Sequence, residues 1–91
     1  MIVRWTPRSV SDLRRLYDFL GEKNLRAAQA VVDALAAAPD KLRQFPRRGP
    51  RLEQFTDREV RRLIIGAYEI RYEIKGDVIR LLQIWHGKED R

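Results

Sequence analysis

Apolar and polar residues alternate without a break from Tyr68 to Lys75. Tyr68, Ile70, Tyr72 and Ile74 fall on one side of an extended chain, and Glu69, Arg71, Glu73 and Lys75 on the other. A period of two in β-branched and aromatic residues predicts a strand with one buried and one wet face. Gly76-Asp77 supplies the turn of a hairpin, and Val78–Trp85 returns as a more uniformly apolar strand. Arg58–Ile65 reads as the strand before, and Met1–Trp5 as a short opening strand. Between them the period changes to three and four. Val10, Leu13, Leu16 with Tyr17, and Leu20 form one stripe of an amphipathic helix that Thr6 or Ser9 can cap and Gly21 stops. Asn24 can cap a second helix, with Leu25, Ala28, Val31 with Val32, Leu35, Leu42 and Phe45 at helical spacing. Pro39 falls inside that pattern and predicts a kink or break.

This order predicts an α+β domain of two layers, β-α-α-β-β-β, spanning residues 1–91 as a single unit. A helical hairpin packs on one face of a mainly antiparallel four-stranded sheet. The other sheet face is left open. Leu13, Leu16, Leu20, Val32 and Leu35 are the expected core between the layers, with Tyr68, Tyr72, Trp5 and Trp85 buried around it.

Composition narrows the chemistry. The chain has no cysteine and one histidine, which removes disulfides, thiolate metal sites and the ligand set of a structural zinc. No apolar run approaches a membrane span and no apolar signal core opens the chain, so a cytoplasmic protein is expected. The net charge of +6 is concentrated: residues 41–62 carry eight basic and three acidic side chains. Such a local field draws nucleic-acid phosphate or an acidic protein. A plain nucleic-acid-binding module fits the charge, but no recognition helix or basic-aromatic motif accompanies it.

IVRWTPRSVSDL at the start, Arg26-Ala27-Ala28, LRQFPRRGPR, REVRRLIIGAYEIRYEI and the closing LLQIWHGKEDR, in this order, resemble the RelE/ParE superfamily of type II toxin–antitoxin toxins. The resemblance covers essentially the whole chain. It implies a toxin that needs no cofactor and is neutralised by an antitoxin whose acidic C-terminal segment wraps it. The expected contacts for that segment are Leu13, Leu16, Tyr17, Leu20, Val31 and Leu35. It also implies one of two targets: DNA gyrase for ParE-like members, or messenger RNA in the ribosomal A site for RelE-like members.

RNA cleavage through the 2′-hydroxyl needs a base, an acid and cations on the phosphate. The candidates are His86, the side-chain type that titrates nearest neutral pH, Arg61, Arg62, Arg71 and Arg80 as cations, and Glu53 or Glu59 as a base. Two departures from the RNA-cleaving pattern favour the ParE-like branch. Glu69 stands where those relatives tend to place an arginine, and Gly87-Lys88-Glu89-Asp90-Arg91 follows the last strand in place of a tyrosine or basic terminus. The expected target contacts are Arg47, Arg48, Arg51, Arg61, Arg62, Trp85, His86 and Lys88.

Overall fold

Thr6 ends one element and begins the next. In the computed structural model, which describes residues 1–89, its side chain accepts the Ser9 amide as the cap of α1 (Pro7–Gly21), directly after β1 (Ile2–Trp5). Pro7 sits in the first turn, where its missing N–H costs nothing. Asn24 caps α2 (Leu25–Ala37) in the same way, accepting the Ala27 amide. The α-helix stops at Ala37, and a 3-10 helix, Ala38–Arg43, carries Pro39 in its first turn. The break expected at Pro39 is therefore a change of helix type. Leu42 still reaches the core, while Phe45, placed on the helical stripe by spacing, lies beyond the helix and is 59% exposed.

Three strands follow: β2 (Glu59–Ile65), β3 (Tyr68–Lys75) and β4 (Val78–His86). Gly66 and Gly76 turn the chain between them with φ near +60°, where a side chain would be strained. The sheet order is β1-β4-β3-β2, with β1 parallel to β4 and the other pairs antiparallel. The two helices pack together and over one sheet face, so the two-layer α+β expectation holds. Leu16, Leu35, Ala38, Leu42, Leu63, Ile70, Tyr72, Ile74, Ile79, Leu81 and Ile84 make the core between the layers.

Two expectations change. The inward line of α1 is Ser9, Asp12 and Leu16, so the stripe is rotated from the one its apolar residues suggest; Val10 is exposed and Leu13 only half-buried. Gly21 is the last helical residue and has no positive φ. A Cβ there would lie 3.2 Å from the end of the exposed Leu25 side chain, which could shift to make room.

The segment between the helices and β2 is bound to the sheet through Tyr72. Its buried hydroxyl donates to Pro46 O (2.8 Å) and accepts the Gly49 amide (3.1 Å). Arg61 donates to Gly49 O at 2.8 Å. A Cβ on Gly49 would meet Arg62 O at 1.9 Å, so only glycine allows this approach. The Arg47–Arg51 loop thus has a packing role that its charges hide.

Leu16 is 2% exposed, and Leu16→Ala is expected to lower unfolding stability by about 2–5 kcal/mol. Urea denaturation checks this; an unchanged midpoint would contradict the position given to α1.

Candidate functional site

Cross-strand pairing assigns the paired residues of β2, β3 and β4 to a face, across a bulge between Arg71 and Tyr72. Away from the helices lie Val60, Arg62 and Ile64 of β2, Glu69, Arg71 and Glu73 of β3, and Arg80, Gln83 and Trp85 of β4. The alternation predicted a wet face here, but Glu69 and Glu73 are 4% and 5% exposed. The reason is charge pairing. Glu73 accepts from Arg58 at 2.7 Å and Arg80 at 3.2 Å, and Glu69 lies 3.8 Å from Arg62 and 4.0 Å from Arg71. The Arg71 guanidinium stacks 4.9 Å from the Trp85 ring and 5.6 Å from Phe55, which the loop before β2 brings over the sheet. Four guanidiniums surround two carboxylates, so this face keeps a positive surplus.

His86 lies on the other side of the sheet. It pairs with Tyr68, whose ring meets the imidazole edge-on at 5.1 Å, and its Nδ1 accepts the Lys88 amide at 3.0 Å. Around it is an apolar hollow lined by Leu16, Phe19, Leu20 and Tyr68. Arg71 and Arg80 are separated from His86 by the sheet itself. Arg61 shares its face but sits opposite Tyr72, four residues from Tyr68, which is roughly 13 Å along the strand direction and two strands across. Glu53 is exposed in a turn outside β2, after Leu52 donates to Val60 O. Glu59 meets Arg61 at 2.8 Å, but neither His86 nor the arginines of the other face are brought to that pair.

The remaining candidates divide by what holds them. Arg47 and Arg61 both pair with Glu59, at 2.9 and 2.8 Å, and Arg51 donates to Arg58 O at 3.4 Å. The Arg48 side chain is exposed and makes no hydrogen bond or ion pair among the described residues. Trp85 is buried beneath Arg71, and the Lys88 side chain is exposed. Of the apolar candidates on the helices, Leu16 and Leu35 are core. Tyr17, Leu20 and Val31 are half-buried, and Leu13 and Tyr17 join Val10 and Val32 in a groove on the outer side of the hairpin.

Asp12, Arg15 and Glu89 were not singled out from the sequence. The Asp12 carboxylate, 5% exposed, accepts the Ile84 amide at 2.9 Å. Arg15 donates to Ile84 O at 3.2 Å and meets Glu89 at 2.6 Å. With Arg8, Arg71 and Trp85 they line an open cleft of about 640 Å³ beside β4. The available signal was an acidic residue one turn before Leu16 on the helix. Among the described residues no group of three or more His, Cys, Asp or Glu could hold a metal, and no helix is long and apolar enough to cross a membrane.

The hydrogen bond from Arg58 holds the Glu73 carboxyl below its ordinary range, and the same bond raises Arg58. Burial pushes Glu59 up, but the hydrogen bonds from Arg47 and Arg61 outweigh it and leave Glu59 lowered. A carboxylate lowered in the folded state stabilises above its unfolded value, roughly pH 4.3, and that contribution is lost as pH falls through the folded value. The urea midpoint is therefore expected to hold from neutrality down to that region and fall below it. Glu73→Gln is expected to flatten part of the fall; an identical acid limb would remove Glu73 from the account.

The ParE toxin family model, described as the ParE toxin of the type II toxin–antitoxin system parDE, matches residues 3–91. Toxin RelE2 of Caulobacter vibrioides is 34% identical over 85 residues, covering 93% of each chain. Toxin RelE1 of the same bacterium is 38% identical over 86 residues, covering 92% of this chain and 90% of its own. A solved chain of the chromosomal ParDE system from P. aeruginosa superposes with a TM-score of 0.77 at 22% identity, covering 94% of this chain and 95% of that one, and so shares the fold. The chain belongs to the ParE toxin family of type II toxin–antitoxin systems.

Proposed function

We propose that this toxin arrests bacterial growth by poisoning DNA gyrase in the cytoplasm, and that a cognate antitoxin neutralises it. One observation carries the choice of target. The sole imidazole lies on the helix side of the sheet, with Nδ1 occupied by a backbone amide, while Arg71 and Arg80 lie on the opposite side. General acid–base catalysis needs its groups within hydrogen-bond reach of one substrate, about 2.6–3.2 Å, and this separation does not provide that. A gyrase poison needs a binding surface and no proton transfer.

The antitoxin contact is the outer groove of the hairpin, where Val10, Leu13, Tyr17 and Val32 offer an apolar strip. An amphipathic helix fits it, with an acidic side chain of that helix facing Arg14 at the edge of the groove. Leu20 lines the separate hollow beside His86, Val31 is half-buried on α2, and Leu16 and Leu35 belong to the core.

RNA cleavage on the ribosome is the second reading. The RelE names of the two relatives favour it, and the positive open face could hold a phosphate. Purified protein in a gyrase supercoiling assay is expected to reduce supercoiling and accumulate cleaved DNA. The messenger on programmed ribosomes, mapped by primer extension, is expected to stay intact. Breaks at A-site codons with gyrase unaffected would replace the first reading with the second.

A further inference from the structure

The turn Phe45-Pro46-Arg47-Arg48 is presented outward by a backbone that the sheet holds in place. Arg48 N donates to Phe45 O at 3.2 Å, closing the turn, and Pro46 at its second position presets the backbone. Tyr72 binds Pro46 O and Gly49 N, and Arg61 binds Gly49 O. The side chains do the opposite. Phe45 is 59% exposed, and Lys41 and Arg48 are exposed and make no hydrogen bond or ion pair among the described residues. Residues 41–51 carry five basic side chains and no acidic one. Among the described residues Arg43 pairs with exposed Asp40, and Arg47 with Glu59.

We propose that this turn is a nucleic-acid contact, in which Arg48 and Lys41 hold the phosphates of a strand and the Phe45 ring stacks on an unstacked base. Guanidinium forks match phosphate oxygens in geometry as well as charge. A projecting ring among cations needs a flat partner, and every base has one. An acidic peptide would instead need a groove for its own apolar anchors; the hollow lined by Gln44, Phe45, Pro46, Arg47 and Arg48 is shallow and open, and the Phe45 ring is 59% exposed. Because the turn is already fixed, little conformational entropy is lost on binding. The contact deepens the gyrase reading, on which it rests for naming DNA as the strand. It makes the gyrase–DNA complex, rather than the enzyme alone, the surface that this turn meets.

Fluorescence anisotropy with a labelled 15-nucleotide DNA strand, the same sequence as RNA, and the DNA duplex tests the site without gyrase. The wild-type protein is expected to bind a single strand with strong salt dependence. Phe45→Ala is expected to weaken binding by about 5- to 100-fold. Arg48→Gln is expected to reduce the salt slope by about 0.7 for one lost phosphate. Arg26→Gln, which removes one charge from an exposed position on α2, is expected to leave the slope unchanged. Both tested side chains are exposed, so unaltered thermal midpoints are expected to show intact folds. Loss with either DNA or RNA supports the site, and the preferred strand tells which source it serves. No binding to any strand overturns it, as does wild-type affinity in Phe45→Ala. Loss confined to a synthetic Glu/Asp-rich peptide overturns it also, in favour of a protein partner. Supercoiling inhibition measured on the same preparations separates the two claims. Gyrase poisoning without strand binding sinks the turn alone, and strand binding without poisoning sinks the gyrase reading alone.

Discussion

β4 is nine residues long and its neighbour β1 only four. β1 pairs with Val78 through Leu81, and beyond Leu81 the edge of β4 has no strand beside it among the described residues. Buried backbone groups left without partners would cost about 1–3 kcal/mol each, and α1 supplies the partners. The Thr6 hydroxyl donates to Leu81 O at 2.6 Å, Asp12 takes the Ile84 amide, and Arg15 donates to Ile84 O. Glu89 then accepts the His86 amide at 2.9 Å while pairing with Arg15. This closure sets the rotation of α1, which is why Ser9 and Asp12 are buried where apolar residues would be expected. The pairing of His86 with Tyr68, past the bulge between Arg71 and Tyr72, puts the imidazole on the helix side.

The same sheet divides the charged groups. On the helix side, Glu59 with Arg47 and Arg61 secures the basic loop beside the Tyr72 hydroxyl, whose titration burial pushes upward. On the open side, Glu69 and Glu73 are each met by two arginines. Burying carboxylates is tolerated only when they are paired and hydrogen-bonded, so these arginines are first of all structural. What remains for a partner is the positive surplus on the open face, the apolar groove outside the hairpin, and the exposed tip at Phe45 and Arg48. Those are surfaces for contact more than a set of groups for chemistry.

Much of this was legible in the residues. The alternation of β3 marked its helix-side core in Ile70, Tyr72 and Ile74; Thr6 and Asn24 marked two helix starts, and Pro39 the end of α2. The family resemblance was readable across the whole chain. What failed to show was whatever depends on neighbouring strands. Glu69 and Glu73 look like solvent positions within β3, because nothing local reveals that Arg58, Arg62 and Arg80 arrive from either side. Asp12 looks like a surface acid until the length of β1 is known. Tyr72 reads as plain core, since its hydroxyl partners lie more than twenty residues away at Pro46 and Gly49. The candidate catalytic set was a list of suitable residue types, and pairing register shows that they occupy different faces and ends.

In the function proposed above, the toxin works through contact, without proton transfer at its one imidazole. The direct measurement is bacterial growth after induction of His86→Gln, with soluble expression and thermal midpoint matched to the parent chain. Growth arrest close to that of the parent is the result this account requires. Full recovery of growth by a folded His86→Gln protein would contradict it and return His86 to the chemistry.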